Sequence, residues 1–79
     1  MKLLVRNLDR LTTEEELEEI FSEFGEIEYC TIVMDPKSGS SKGFGFIEMP
    51  KSSEANAALK NLHYKIIGRN KIRVKTTKK

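Results

Sequence analysis

The sequence predicts an α+β fold in which two helices cover one face of a four-stranded antiparallel sheet. Four short segments alternate apolar and polar residues with the period of a strand, and two longer segments repeat apolar residues with the period of a helix. Their order is strand, helix, strand, strand, helix, strand. Because two helices can cover only one face of such a sheet, the other face is expected to lie in water. With 79 residues the chain has room for one small domain, which we place at residues 1–76, followed by a basic tail at 77–79.

The first strand and the first helix come before residue 26. In "KLLVRNL", Leu3 and Val5 share one face of a strand, as alternate residues do. In "TTEEELEEIFSEFG", Thr13 is placed as the N-cap and Glu16 can complete a capping box. Gly25 is expected to end this helix. The apolar positions at helical spacing are Leu17, Ile20, Phe21 and Phe24.

Two strands joined by a polar turn follow. "IEYCTIVMD" alternates so that Cys30, Ile32 and Met34 point one way. "PKSGSSK" contains Pro36 and Gly39, which favour a turn between antiparallel strands, and "KGFGFIEM" supplies the second strand. Cys30 is the only cysteine, so no internal disulfide can form and we expect a buried, reduced side chain.

The second helix and the last strand complete the order. In "SSEANAALKNL", Ser53 is the expected N-cap. The apolar stripe of this helix is Ala55, Ala58, Leu59 and Leu62. A turn at Gly68 precedes the last strand. The apolar side of that strand is Ile72 and Val74, and its basic side is Lys71, Arg73 and Lys75.

Strand parity divides the sheet between a core face and an open face. The residues expected toward the helices are Leu3, Val5, Ile27, Cys30, Ile32, Met34, Ile47, Met49, Ile72 and Val74. The residues expected on the open face are Lys2, Leu4, Arg6, Tyr29, Thr31, Val33, Phe44, Phe46, Glu48, Lys71, Arg73 and Lys75. The alternative, a pair of core phenylalanines with Glu48 at the strand end, is disfavoured because neighbouring strands place cations on the phenylalanine side. Aromatic and basic residues therefore share one solvent-facing surface.

Charge is unevenly distributed along a chain whose formal net charge is +2. Glutamates crowd residues 14–28, whereas nothing acidic follows Glu54 and cations recur from Lys60 onward. This asymmetry favours one surface for a polyanion and another that repels it. No apolar run approaches the length of a membrane span, so we expect no membrane partner and a cytoplasmic location.

The sequence offers little for catalysis or metal binding. His63 is the only histidine, no cysteine and histidine cluster could hold zinc, and no nucleophile is accompanied by a base. The glycines of "GFGF" lack the strand-to-helix context of a nucleotide-binding loop. We therefore expect no enzyme activity, no metal and no cofactor.

Two segments, "LLVRNL" from Leu3 and "KGFGFIEM" from Lys42, resemble the signature strands of the RNA-recognition motif family, with Met49 where an aromatic residue is usual. The resemblance covers nearly the whole chain, through "LEEIFSEFGEI", "DPKSGSSKGFGF" and "GRNKIRV". It implies a ferredoxin-like βαββαβ sandwich that binds single-stranded RNA on its open face. The chain looks most like the small single-motif RNA-binding proteins of bacteria and organelles.

The resemblance also implies roles for individual residues. Phe44 and Phe46 match positions that stack on a base or pack against a ribose, and Lys42 matches one that meets a phosphate. The other residues expected at the RNA surface, by match or by strand parity, are Leu4, Arg6, Asn7, Arg73, Lys75, Tyr29 and Lys2. The expected partner is single-stranded RNA of about two to four nucleotides, with single-stranded DNA bound weakly, and the expected state is a monomer.

Two departures from the family pattern bear on function. Leu4 stands where an aromatic residue is usual, which removes a stack that contributes about 1 to 3 kcal/mol. Tyr64 follows the second helix where glycine is common, and a left-handed backbone there would cost a tyrosine about 1 kcal/mol. Some family members have lost RNA binding, so the alternative function is a protein-interaction module that uses the acidic first helix or the sheet.

Overall fold

The computed structural model describes residues 1–77 and contains the predicted four-stranded sheet with two helices on one face. Residues 78 and 79 of the predicted basic tail lie outside the described residues. The elements in chain order are β1 (Lys2–Arg6), α1 (Glu14–Ser22), β2 (Tyr29–Met34), β3 (Ser41–Glu48), α2 (Ser52–Leu62), β4 (Ile66–Ile67), β5 (Asn70–Lys71) and β6 (Arg73–Thr76). The main sheet has the order β2-β3-β1-β6 with antiparallel neighbours, which confirms the predicted ferredoxin-like arrangement.

α1 begins where its capping box predicts. Thr13 Oγ1 accepts a hydrogen bond from the Glu16 N–H at 3.1 Å, and Glu16 Oε1 accepts one from the Thr13 N–H at 3.0 Å. These bonds satisfy backbone donors that have no partner within the helix. Leu17 and Phe21 are completely buried, so the apolar stripe fixes which side of the helix meets the core.

The prediction that Ser53 caps α2 is wrong. The helix begins at Ser52, its N-cap is Lys51, and no side chain caps it. Pro50 disfavours a helical backbone only at the residue before it, so the chain can turn helical directly afterwards. The Ala55 N–H already donates to the Lys51 carbonyl, and Ser53 therefore falls inside the first turn.

α2 ends in a turn that contains a left-handed residue. His63 is the C-cap, and its N–H donates to the Leu59 carbonyl. Tyr64 follows with a φ of +69°, so the left-handed backbone anticipated at this position is present. Within residues 1–77 no helix has the length and apolar character needed to cross a membrane.

The core lies between the helices and the inner face of the sheet, and one predicted core residue is missing from it. Met34 is 51% exposed. β2 is an edge strand, and its pairing with β3 shifts between Ile32 and Met34, so regular alternation is lost there. Cys30 and Ile27 are only partly buried. The buried hydrophobic residues are Leu3, Val5, Leu8, Leu17, Phe21, Ile32, Ile47, Met49, Ala55, Ala58, Leu62, Ile72 and Val74.

A small hairpin that the sequence analysis did not predict lies between α2 and β6. β4 and β5 pair so that Ile66 lies opposite Lys71, around the predicted turn at Gly68, whose φ is +66°. The prediction that Lys71 belongs to the open face of the main sheet is therefore wrong. Lys71 is part of β5, and the main strand begins at Arg73.

Candidate nucleic-acid interface

The strand register brings the predicted residues into rows across the open face. β3 and β1 occupy the centre of the sheet, and Phe46 lies directly opposite Leu4. Leu4 in turn lies opposite Lys75 on β6. The next row, two residues further along each strand, consists of Phe44, Arg6 and Arg73. Each phenylalanine is therefore followed across the sheet by a side chain of β1 and a cation of β6.

The two phenylalanine rings are half-buried and meet edge to face. Their centroids are 6.2 Å apart and their planes form an angle of 87°. Rings at right angles cannot both lie flat on the sheet, so one can offer its face to a base while the other offers its edge. Lys2 Nζ lies 4.7 Å from the centroid of the Phe46 ring, which is a cation–π distance. The pair can therefore support one flat stack and one contact with a ribose or a second base.

A third row contains Tyr29, Glu48 and Lys2, on β2, β3 and β1 respectively. Glu48 Oε2 lies 3.0 Å from the amino group of Met1, and this salt bridge offsets the negative charge of the carboxylate. Tyr29 is 43% exposed on the edge strand. Of the residues predicted to contact RNA, Tyr29 is the one on β2, the strand furthest from β6.

A basic cleft of about 360 Å³ lies beside Phe44 at one end of the sheet. Its cationic lining is Arg6, Arg10 and Lys42. Arg10 was not among the residues predicted from the sequence. It belongs to the loop between β1 and α1, and a loop residue has no periodicity from which a face could be predicted. Three cations around a cleft next to an aromatic ring provide space and charge for a phosphate group.

Asn7 directly follows β1 and lies at the rim of this cleft. Its φ is +61°, a conformation that asparagine adopts more readily than most residues. Its side-chain Nδ2 donates a hydrogen bond to the Lys71 carbonyl oxygen at 2.8 Å. Asn7 therefore ties the end of the sheet to the β4–β5 hairpin, and its amide nitrogen is engaged within the protein.

Asp9, which the sequence analysis also missed, anchors the loop that carries Arg10. Its carboxylate accepts hydrogen bonds from the Leu11 N–H at 3.0 Å and from the Arg69 N–H at 3.1 Å. These two bonds, assisted by the charge of Arg69, hold the pKa of the Asp9 carboxyl below its ordinary value of 3.8. The ionised carboxylate thus joins this loop to the hairpin at Gly68.

Cys30 is held as a protonated thiol. Burial, and then the nearby carboxylates of Glu14 and Glu18, raise the pKa of the thiol to about 12. A thiol with this pKa is a weak nucleophile at neutral pH. In the part of the chain that the structure describes, no three histidine, cysteine or acidic side chains are grouped so that they could hold a metal ion.

The chain matches the model of the RNA recognition motif over residues 3–73. Polyadenylate-binding protein 4 of Arabidopsis thaliana is 44% identical over 68 residues, which cover 86% of this chain and 10% of that protein. The chain therefore spans about a tenth of the length of this curated relative.

Two solved structures have similar folds. The crystal structure of RNA Binding Protein PG1 is 31% identical with a TM-score of 0.91, and the match covers 95% of this chain and 90% of that one. The Sxl-lethal protein in its RNA complex is 27% identical with a TM-score of 0.93, covering 99% of this chain and 47% of that one. Together with the family model, which matches most of the sequence, these similarities show that the chain belongs to the RNA recognition motif family.

Proposed function

We propose that this chain is a non-enzymatic module that binds single-stranded RNA on the open face of its sheet. The observation that carries the proposal is the pair of accessible rings, Phe44 and Phe46, on a central strand with cations of two other strands on the same face. A planar base can stack on an aromatic ring, and cations neutralise the phosphates between bases. A relative named for polyadenylate binding and a similar structure in complex with RNA support this class of ligand.

The predicted residues other than Asn7, whose amide nitrogen is engaged within the protein, each have a role in this proposal. Phe46 and Phe44 hold one base and one ribose or second base, at about 1 to 3 kcal/mol for a stacked base. Lys42 and Arg6, at the basic cleft, neutralise a phosphate beside Phe44, and Arg10 joins them there. The remaining contacts come from Lys75 in the row of Phe46 and Arg73 in the row of Phe44. Lys2 and Tyr29 add contacts from the third row.

Leu4 limits the affinity of this surface. It lies opposite Phe46, in the centre of the face, and offers a base only an aliphatic contact. We therefore propose two aromatic anchors on the sheet, about two to four bound nucleotides and a modest affinity. We also propose a monomer that binds single-stranded DNA more weakly, since DNA lacks the 2′-hydroxyl that RNA offers to nearby donors and acceptors.

We further propose a cytoplasmic role in post-transcriptional regulation. Its support is the single reduced cysteine, which suits a reducing compartment, and a ligand class that includes messenger RNA. Sedimentation of the full chain with and without RNA would test the monomer, and fractionation of cells that express it would test the location.

The RNA-binding proposal is tested by titration of short RNA oligomers while amide chemical shifts are recorded. Shifts are expected on β1, β3 and β6, and the double variant Phe44→Ala and Phe46→Ala should lose binding while it keeps its fold. The matched control is the double variant Glu18→Gln and Glu19→Gln, which changes two exposed residues of α1. Shifts confined to the helices, or binding lost only in the glutamate variant, would refute the proposal.

The dependence of RNA affinity on salt concentration distinguishes phosphate contacts from uncharged contacts such as base stacking. Each phosphate contact with a single strand contributes a slope of about −0.7 to the log-log dependence of affinity on salt. Neutralising Arg6 or Arg73 with glutamine should therefore reduce the slope by roughly that amount. An unchanged slope would show that the substituted arginine does not contact a phosphate.

A further inference from the structure

A further accessible aromatic ring lies beside the sheet, outside the open face. Tyr64 is 57% exposed, although a tyrosine ring is a large apolar surface. One side of this ring is supported by His63, whose ring centroid lies 3.9 Å away with an interplanar angle of 36°. A ring that is backed on one side and exposed on the other is a suitable platform for a planar ligand.

The backbone places Tyr64 next to the outer edge of β6. The Tyr64 N–H donates to the Ile72 carbonyl at 2.8 Å, and the Ile72 N–H donates to the Lys65 carbonyl at 2.9 Å. The Val74 N–H donates to His63 Nδ1 at 3.0 Å. Residues 63–65 therefore take the place of a further strand beside β6. Three strand spacings separate this position from β3, which is about 14 Å.

The surroundings of Tyr64 are basic. Lys71 Nζ lies 6.0 Å from the centroid of its ring, and Arg73 and Lys75 are exposed on the adjacent strand. No acidic residue follows Glu54 in the sequence. An aromatic platform among cations matches the chemistry of a nucleotide, which carries a planar base and a negative phosphate, better than that of an apolar peptide.

The backbone conformation of Tyr64 is a separate observation that bears on the role of its ring. Its φ of +69° is strained for a side chain with a β-carbon, and glycine would avoid the strain. A tyrosine there is unfavourable for the fold unless its ring contributes something that compensates. The contact with His63 covers only part of the ring.

We propose that Tyr64 stacks on a nucleobase of the RNA strand after that strand has crossed β6 from the open face. This inference rests on the proposed function and extends its site beyond the sheet. The path runs from Phe44 past Arg6 and Arg73 to Tyr64, so an RNA that covers only the two phenylalanines does not reach the ring. Tyr64 supplies on the far side of β6 the aromatic contact that Leu4 does not supply on β1.

The first test compares RNAs of two lengths. Dissociation constants of tetra- and decanucleotides of uridylate and of adenylate are measured for the wild type, Tyr64→Ala and Tyr64→Phe. The matched control is Ile66→Ala, which truncates another exposed apolar side chain in the same segment. Tyr64→Ala should weaken binding of a decanucleotide about fivefold or more, the lower end of a base–aromatic stack, while the tetranucleotide is bound as by the wild type. Tyr64→Phe and Ile66→Ala should bind both RNAs as the wild type does.

A second variant separates a functional ring from a structural one. Tyr64→Gly removes the strain as well as the ring, so its unfolding temperature should equal or exceed that of Tyr64→Ala, while its decanucleotide affinity falls to the same extent. If stability and affinity instead change together across the two variants, Tyr64 acts through the fold and the proposal is wrong.

A direct readout uses the two tyrosines, because the chain has no tryptophan. The tyrosine fluorescence that the wild type has and Tyr64→Phe lacks belongs to Tyr64, and this part should be quenched on binding of the decanucleotide at the concentrations that saturate binding. Unchanged fluorescence at saturation would overturn the inference and leave RNA binding intact. If the wild type binds no RNA of either length, the proposed function and this inference fail together.

Discussion

Replacing Leu4 with phenylalanine is expected to raise the affinity for RNA. Leu4 lies between Phe46 and Lys75 in one row of the open face, at a half-buried position on a central strand. Directly opposite residues of antiparallel strands lie about 5 Å apart, so a ring at Leu4 would extend the aromatic surface of β3 onto β1. Leu4→Phe would thus create a third platform on the sheet.

The expected gain is limited by what the leucine already contributes. A base stacked on an aromatic ring contributes about 1 to 3 kcal/mol, and leucine retains part of the same apolar contact. We therefore expect a net gain of about 1 kcal/mol, or roughly fivefold in Kd. The fold should tolerate the ring because Leu4 points away from the core, whereas its neighbours Leu3 and Val5 are completely buried.

Fluorescence anisotropy of labelled hexauridylate and hexaadenylate at one fixed salt concentration measures this gain, and thermal unfolding checks the fold. The matched control is Leu11→Phe, which adds the same ring at a leucine that is 74% exposed in the loop before α1. Leu4→Ile keeps the position aliphatic. If Leu4→Phe folds but binds no better than the wild type, or if Leu11→Phe gains as much, the reasoning from the rows of the open face is refuted.

Two further predictions concern the scaffold that holds this surface. Gly45→Ala is expected to destabilise the fold by about 1 to 3 kcal/mol, because a β-carbon would fall too close to the Thr31 carbonyl oxygen on the neighbouring strand; an unchanged midpoint of urea unfolding would contradict this. The pKa of Asp9 is held below 3.8, so the ionised carboxylate stabilises the fold above about pH 3.8 and this contribution is lost as the pH falls through the folded-state pKa. The unfolding free energies of wild type and Asp9→Asn should therefore converge between neutral pH and about pH 2, and a constant difference would show that the carboxylate charge does not stabilise the fold.

The open face could be predicted from the sequence because strand alternation holds wherever a strand has neighbours on both sides. β1 and β3 are such strands, and Leu4, Phe44 and Phe46 lie on the face that parity predicts. β2 has a neighbour on one side only, and its pairing shifts between Ile32 and Met34. An edge strand can bulge without disturbing a second neighbour, so alternation alone could not place Met34.

The starts of the two helices also differ in how well they could be predicted from the sequence. Thr13 and Glu16 form a capping box within one turn, so the start of α1 is encoded by residues that are already neighbours. At α2 the N-cap is Lys51, which has an extended backbone, and the helix starts at Ser52, so Ser53 has no role as a cap. Serine is a good cap only where the backbone leaves it outside the helix.

The loop residues of the site could not be predicted because distant contacts position them. Asp9 is bound by the N–H of Arg69, 60 residues away, and Asn7 by the carbonyl of Lys71, 64 residues away. These bonds shape the loop that carries Arg10. The pattern of apolar residues in a sequence does not indicate which distant residues form hydrogen bonds with one another. The basic cleft could therefore be identified only from the structure.

On each edge strand of the main sheet one backbone N–H group donates to a side chain, which bears on how the chain can bind a partner. At β2 the Ile32 N–H donates to Glu14 Oε2 at 2.8 Å, and at β6 the Val74 N–H donates to His63 Nδ1 at 3.0 Å. Free N–H groups at a sheet edge invite pairing with a strand of another chain. With these donors occupied, strand addition at either position would first have to break a hydrogen bond. The accessible rings and cations face away from both edges, so the arrangement favours recognition through side chains on the open face, as single-stranded RNA requires.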